Sequence, residues 1–254
     1  MERKNLAQSK WIVTMARWAA ESAVHNCGAP PESVKTILPG ANVELPPNYD
    51  FPEHPGRPGK DRPLVLGFVG KDWRRKGLPY LLQVRERLEA AGMKAVVRAA
   101  GFCPSALQRE PGLEYVGFID KAQEEARFLN FLAGSDLGCL FSAHEPLGIS
   151  VLEFLRAGVP VSGFAIEGPA DTLPTDAGLR FPADCPAAEV AESIRRLFSD
   201  DAAATTLRAA ARRWSPLVTW DRCVREWAEL LATGEVANPV QPWRASDFYM
   251  SHSP

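Results

Sequence analysis

Between residues 64 and 181, short apolar runs alternate with stretches whose apolar residues recur at helical spacing. Leu64–Val69 (LVLGFV) is almost unbroken apolar sequence of strand length, as a parallel strand covered on both faces requires. Helical spacing over Leu78–Ala91 follows, then a strand over Lys94–Ala99 and another over Leu113–Ile119. Gln123–Ala133 reads as a helix, Leu137–Phe141 as a strand and Ile149–Ala157 as a short helix. Val159–Phe164 and Leu179–Phe181 complete the strands. Strands alternating with helices of this length predict an α/β fold with a doubly wound parallel sheet. Beyond it, Ala187–Phe198, Asp201–Arg213 and Leu217–Leu231 form three amphipathic helical patterns with no strand between them.

The first 44 residues do not share this rhythm. Trp11, Met15, Trp18 and Ala19 can lie on one helical face, with Val24 near its edge, so a helix is expected over Leu6–Asn26. Gly28 and Pro30-Pro31 end it, and Val34–Leu38 is a short strand candidate stopped by Pro39-Gly40. Residues 45–63 are rich in proline and charge, and read as a linker or surface loop between two structural units. The expected division is therefore an N-terminal remnant over 1–44, a linker over 45–63 and an α/β domain with its helices over 64–233. Residues 234–254 show neither period and read as an extended or disordered tail.

Composition narrows the function classes. The 254 residues carry 29 basic and 31 acidic side chains, a net charge of −2, so no global field recruits nucleic acid or an anionic membrane. No apolar stretch approaches the roughly 20 residues of a membrane span, and Arg17 and Glu21 interrupt any signal-like core. The five cysteines are scattered, without a C-x-x-C pair or a histidine at metal-ligand spacing. A soluble, cytoplasmic chain in a reducing compartment, without structural zinc, is expected.

Candidate chemistry lies in two loops, each following a strand. Ser142-Ala-His-Glu-Pro-Leu-Gly148 leads from the strand Leu137–Phe141 directly into a helix. Gly148 allows close approach of a ligand, and the amides of Gly148, Ile149 and Ser150 are first-turn donors suited to a diphosphate. Glu145 in the loop and Glu153 one turn into the helix can flank one ligand at different depths. A carboxylate accepts two hydrogen bonds side by side, which suits a vicinal diol such as that of a ribose. The second loop, Gly70-Lys-Asp-Trp-Arg-Arg-Lys-Gly77, places Lys71, Arg74, Arg75 and Lys76 ahead of a helix with Pro79 in its first turn. Fixed cations there would stabilise charge developing on a leaving diphosphate; the same four cations also suit a plain solvated loop. Trp73 is a candidate for touching ligand or acceptor. His144, without a demonstrable partner in the sequence, reads as a surface or packing residue.

These residues carry a resemblance. SAHEPLGISVLEFLRAGVPVSG is similar to the E-x7-E region of retaining GT-B glycosyltransferases, in particular family 4, with Glu145 and Glu153 in the two glutamate positions. GFVGKDWRRKGLPYLL resembles that family's strand, basic loop and helix, where an Arg and a Lys five residues apart contact the donor phosphates. Lys71 and Lys76 occupy those positions, and Lys71 keeps the charge without the planar fork of arginine. ILPGAN, YVGFID, AGVPVSGF and DAGLRFPAD follow in the family's order, so the likeness covers roughly Ser33 to Trp227.

The resemblance implies a Rossmann-like donor-binding domain and metal-independent, cofactor-free sugar transfer from a UDP-, GDP- or ADP-sugar with retained configuration. It implies Glu153 on the ribose, Glu145 near the sugar hydroxyls, and Lys76 with Lys71 on the phosphates. Leu147, Gly148, Ile149, Ser150 and Gly70 would surround the phosphates, with Phe118 and Ile119 beside the base. Such enzymes bind the acceptor mainly on a first domain that about 45 residues cannot contain. The acceptor is unknown, and its site is expected on a missing N-terminal domain or a separate chain. The helix Leu217–Leu231 is placed like the family's return helix onto that domain. An accessory module that binds the nucleotide sugar without turnover is the rival reading.

Overall fold

A computed structural model describes residues 6, 8–53, 58 and 62–236. The chain begins with a small parallel β-α-β unit: β1 (Ile12–Thr14), α1 (Arg17–His25) and β2 (Val34–Thr36). A single helix over Leu6–Asn26 is thereby corrected. Ile12, Val13 and Thr14 are consecutive β-branched residues, which favour a strand locally. Trp11 and Val13 pack with Ile37, Cys223 and Leu230, while Met15 and Trp18 stay exposed.

Six strands then form one parallel sheet: β3 (Leu64–Gly70), β4 (Ala95–Gly101), β5 (Leu113–Gly117), β6 (Leu137–Leu140), β7 (Val161–Phe164) and β8 (Gly178–Phe181). Their spatial order is β5-β4-β3-β6-β7-β8, with every pair parallel. The expected doubly wound sheet is therefore present. The helices are α2 (Leu78–Ala90), α3 (Glu125–Ala133), α4 (Ile149–Arg156), the one-turn α5 (Pro169–Thr172), α6 (Ala187–Phe198), α7 (Asp201–Trp214) and α8 (Trp220–Thr233). On one face, α2 and α6 pack Leu81, Leu88, Val190 and Ile194 against Leu64, Leu66 and Leu137. On the other, α3, α4 and α7 pack Phe128, Leu132, Phe154, Leu155 and Ala211 around Val161. Every residue of α4 from Ser150 to Leu155 is buried, because other elements enclose the helix all round.

From β3 the chain winds outward to β5, then crosses back to β6 and winds the other way. A crevice opens where the direction reverses, beyond the carboxyl ends of β3 and β6, and this is where such sheets bind ligands.

The described part of the proline-rich segment is docked on the sheet domain. Leu45 and Tyr49 join the core, Arg212 donates to the Pro52 carbonyl at 2.6 Å, and Arg62 pairs with buried Asp136 at 2.6 Å. Helix α8 is capped by the Thr219 hydroxyl and stopped at Gly234. Its inner face covers the β1–β2 unit through Cys223 and Leu230, and its buried Arg222–Glu226 pair (2.9 Å) reaches the Pro39 carbonyl. Trp220, Val224, Trp227 and Leu231 lie exposed along the helix. The tail from residue 237 onward lies outside the described residues, as do His54 and His252. All five cysteines are free thiols. Among the described residues no helix is long and apolar enough to cross a membrane, and no group of three or more His, Cys, Asp or Glu could hold a metal ion.

Candidate functional site

The two chemistry-bearing loops sit at the carboxyl ends of neighbouring strands and are stitched into one structure. Ala143 N–H donates to the Arg75 carbonyl at 3.0 Å, and the Arg75 guanidinium donates to the His144 carbonyl at 2.6 Å. Gly77 makes this approach possible. It adopts φ 83°, and a Cβ there would lie 2.0 Å from the Phe141 carbonyl oxygen at the end of β6. Gly148 likewise takes φ 82° as the N-cap of α4, turning the loop into the helix.

Glu145 stands at the junction and is only 6% exposed. Its Oε2 is 2.7 Å from Lys76 Nζ and 3.3 Å from Arg75, and accepts from the Ser142 hydroxyl at 3.3 Å. Its Oε1 accepts from the Gly148 amide at 3.3 Å. Burial alone would raise the proton affinity of Glu145. The Lys76 hydrogen bond and charge, the Gly148 amide and Arg75 outweigh it and hold the carboxyl below its ordinary value. The Gly148 amide is therefore engaged by the protein itself, which corrects the expectation of a free donor at that position.

A third loop, after β7, braces this one. Glu167 adopts φ 45°, accepts from the Glu145 amide at 2.7 Å and lies 3.2 Å from His144 Nδ1, while the Gly168 amide donates to the Glu145 carbonyl at 3.1 Å. The N-terminal unit reaches the same loop: Trp18 Nε1 donates to the Pro146 carbonyl at 2.9 Å, and Arg17 pairs with buried Asp171 at 2.6 Å.

Beside these loops lies a cleft of about 290 Å³, lined by Gly70, Lys71, Asp72, Arg75, Lys76, Phe118, Ile119, Lys121, Ile149, Ser150 and Glu153 among others. Nine residues singled out in the sequence thus meet at one cavity: Gly70, Lys71, Arg75, Lys76, Phe118, Ile119, Ile149, Ser150 and Glu153. Glu145, Leu147 and Gly148 are not on its lining; the Leu147 carbonyl accepts from the Thr172 hydroxyl at 3.0 Å. Trp73 is not on the wall: it packs against the core on the α2 side, with Arg74 over its ring at 5.0 Å. The side chain of His144 is 81% exposed.

The walls hold four cations (Lys71, Arg75, Lys76, Lys121) against Asp72 and Glu153. With Glu145 against Lys76 and Arg75, four cations meet three carboxylates, and the remaining positive excess suits an anion. Glu153, on α4, is completely buried. Lys121 pairs with its Oε1, and its Oε2 has no hydrogen-bond partner among the described residues. Burial raises the proton affinity of Glu153, opposed first by Lys121 and then by the charge of Lys76. At the mouth, Lys71 Nζ lies 5.2 Å from the centre of the Phe118 ring, which stacks on Phe102 at 5.4 Å.

Sequence reasoning missed Lys121, Glu167 and Phe102. Each is a single polar or aromatic residue in a loop without a motif. The only available signal was position: Lys121 and Phe102 also follow parallel strands at their carboxyl ends.

A family model described as "Glycosyl transferases group 1" matches residues 63–200. The chain is 27% identical over 159 residues to a 2-deoxystreptamine glucosyltransferase of Streptomyces kanamyceticus, covering 59% of this chain and 40% of that protein. Among solved structures, a sucrose-phosphate synthase from Thermosynechococcus elongatus superposes with TM-score 0.68 at 18% identity, covering 93% of this chain and 61% of that one. The Anabaena protein Alr3699/HepE, solved in complex with UDP and glucose, superposes with TM-score 0.67 at 17% identity, covering 92% and 68%. At such identities the structural likeness speaks for the fold. The chain spans 31% to 56% of the length of the curated relatives it matches.

Proposed function

Because this chain belongs to the glycosyl transferases group 1 family, we propose that it supplies the nucleotide-sugar-binding half of a retaining, metal-independent glycosyl transfer. The observation that carries this reading is the cleft at the sheet's switch point, lined by four cations and by the buried carboxylate of Glu153, whose Oε2 is unpaired among the described residues. A nucleoside diphosphate presents complementary chemistry, a doubly charged pyrophosphate and a ribose hydroxyl seeking an acceptor. The Anabaena protein of the same fold was solved with UDP and glucose, which supports a UDP-, GDP- or ADP-sugar as the ligand class.

On this reading Lys76 and Lys71 face the phosphates, and Ile149 and Ser150 present the start of α4 to them. As the bond between the anomeric carbon and the phosphate oxygen breaks, negative charge gathers on the diphosphate. Ammonium groups already fixed in place stabilise that charge more than the ground state. Lys76, paired with Glu145 at 2.7 Å, links the phosphate side of the site to the carboxylate assigned to the transferred sugar. The acceptor and its binding surface are assigned to protein beyond this chain.

Calorimetric titration with UDP-, GDP- and ADP-glucose tests the proposal. Binding of at least one is expected, with Glu153→Ala weakening it about ten- to a hundredfold, the worth of a hydrogen bond to a charged group. Absence of binding by all three nucleotides would sink the donor-site reading. Binding by this chain without turnover, even after a protein carrying the acceptor site is supplied, would instead favour the accessory module.

A further inference from the structure

The two oxygens of Glu153 are not equivalent. The carboxylate is completely buried on α4, where Lys121 Nζ holds Oε1 while Oε2, also buried, accepts no hydrogen bond among the described residues. Lys121 comes from a different element, the loop after β5, and its ammonium lies 4.4 Å from the centre of the Phe128 ring on α3. Ring and carboxylate together fix the lysine head group, and both Lys121 and Glu153 line the cleft. Lys121 is not part of the motifs that carry the family resemblance, and no step of the proposed transfer uses it.

We propose that Lys121 is a positioning residue for the donor nucleotide: by occupying Oε1 it turns Glu153 into a single-oxygen acceptor, with Oε2 as the only site for one hydroxyl of the ribose. The inference rests on the nucleotide-sugar reading of the cleft. It replaces side-by-side acceptance of two hydroxyls by one carboxylate with a divided arrangement, in which Glu153 Oε2 takes one hydroxyl and the second is left to other groups. A nucleotide lacking the bound hydroxyl should therefore lose much more affinity than one lacking its neighbour.

Charge follows from the same geometry. A buried carboxyl tends to take up a proton, and a protonated one no longer offers two free acceptor oxygens. Lys121 and, more distantly, Lys76 are the cations acting on Glu153. Without Lys121, burial is left opposed mainly by Lys76. Protonation then reaches further toward neutral pH, and nucleotide affinity should fall as pH falls through that range. With Lys121 present, the carboxylate stays ionised over more of the range and the affinity profile is flatter.

The test is titration of the full chain from pH 6 to 8.5 with the tightest-binding of UDP, GDP and ADP, and with its 2′-deoxy and 3′-deoxy forms. Wild type should show a flatter profile than Lys121→Met and unequal losses for the two deoxy forms. Lys121→Met should bind about tenfold more weakly at pH 8, weaken further toward pH 6, and penalise the two deoxy forms more evenly. Lys121→Arg should recover most of the affinity and the flatter profile. Lys121 is partly exposed, so all three proteins should fold, and matching thermal transitions confirm this. Equal affinity and an equal pH profile for Lys121→Met and wild type would overturn the positioning role while leaving the cleft's nucleotide reading intact. Failure of wild type itself to bind would overturn both.

Discussion

Lys76→Met removes the cation that joins the two halves of the site while keeping most of the side chain's volume. In the native protein Lys76 Nζ stands 2.7 Å from Glu145 Oε2, and the two side chains are 12% and 8% exposed. At an effective dielectric near 20, two charges about 3 Å apart attract by roughly 5 kcal/mol, most of it offset by the cost of desolvating them. Glu145 is not orphaned, because Arg75, the Ser142 hydroxyl and the Gly148 amide remain, each at 3.3 Å. The loss of folding stability should therefore be about 1–3 kcal/mol, the scale of a charged hydrogen bond, and not the 3–5 kcal/mol of a stranded buried charge.

The pH dependence has a definite sign. Glu145 is held below its ordinary value of 4.5 in the folded state, with Lys76 foremost among the groups that lower it. Its contribution is present above that value and is lost as pH falls through the folded value. The gap between wild type and Lys76→Met in urea unfolding should be full at pH 7 and shrink below about pH 4.5. A gap that stays the same from pH 7 to well below the folded value of Glu145 would refute the Glu145 pairing as its source. Nucleoside diphosphate affinity should fall about ten- to a hundredfold in the same variant. It should also depend less on salt than wild type, one phosphate-facing cation having been removed.

Two further outcomes concern the frame around the site. Gly77→Ala must place a Cβ about 2 Å from the Phe141 carbonyl at a backbone angle of 83°; a loss of at least about 2 kcal/mol by thermal unfolding is expected, and an unchanged transition would mean that the two loops are not in forced contact. Arg17→Met leaves Asp171, 1% exposed, without its bonded cation, so limited proteolysis should cut faster within residues 17–45. Burial already raises the Asp171 value despite Arg17, so the defect should be greatest at neutral pH and ease on acidification as Asp171 protonates; a cutting rate unaffected by pH would exclude that cause.

What the sequence determined by itself was whatever depends on neighbours in the chain. Unbroken apolar runs such as Leu64–Val69 can be covered only as interior strands, and their alternation with helical spacing admits few sheets other than a parallel, doubly wound one. Ligands of such sheets sit beyond strand carboxyl ends, so the loops at 70–77 and 142–148 could be identified as the place for chemistry, and Gly70, Lys71, Arg75, Lys76, Ile149, Ser150 and Glu153, named in the first loop or in the helix after the second, line one cleft; Phe118 and Ile119 came from the family resemblance. Helical spacing misled at Ile12–Thr14, where three β-branched residues pair with β2 from across α1.

The tertiary structure alone decided how charges are paired. Lys121 meets Glu153 from 32 residues away, Lys76 meets Glu145 across two strands, and Glu167 braces the Glu145 loop from beyond β7. None of these pairs has a sequence spacing of its own, because each is set by strand order and by where a loop comes to rest. The carboxylates at 145 and 153 were visible as a pair in the chain. That one is held below its ordinary proton affinity and the other above it follows from which cations the fold brings to them, and how deeply it buries them.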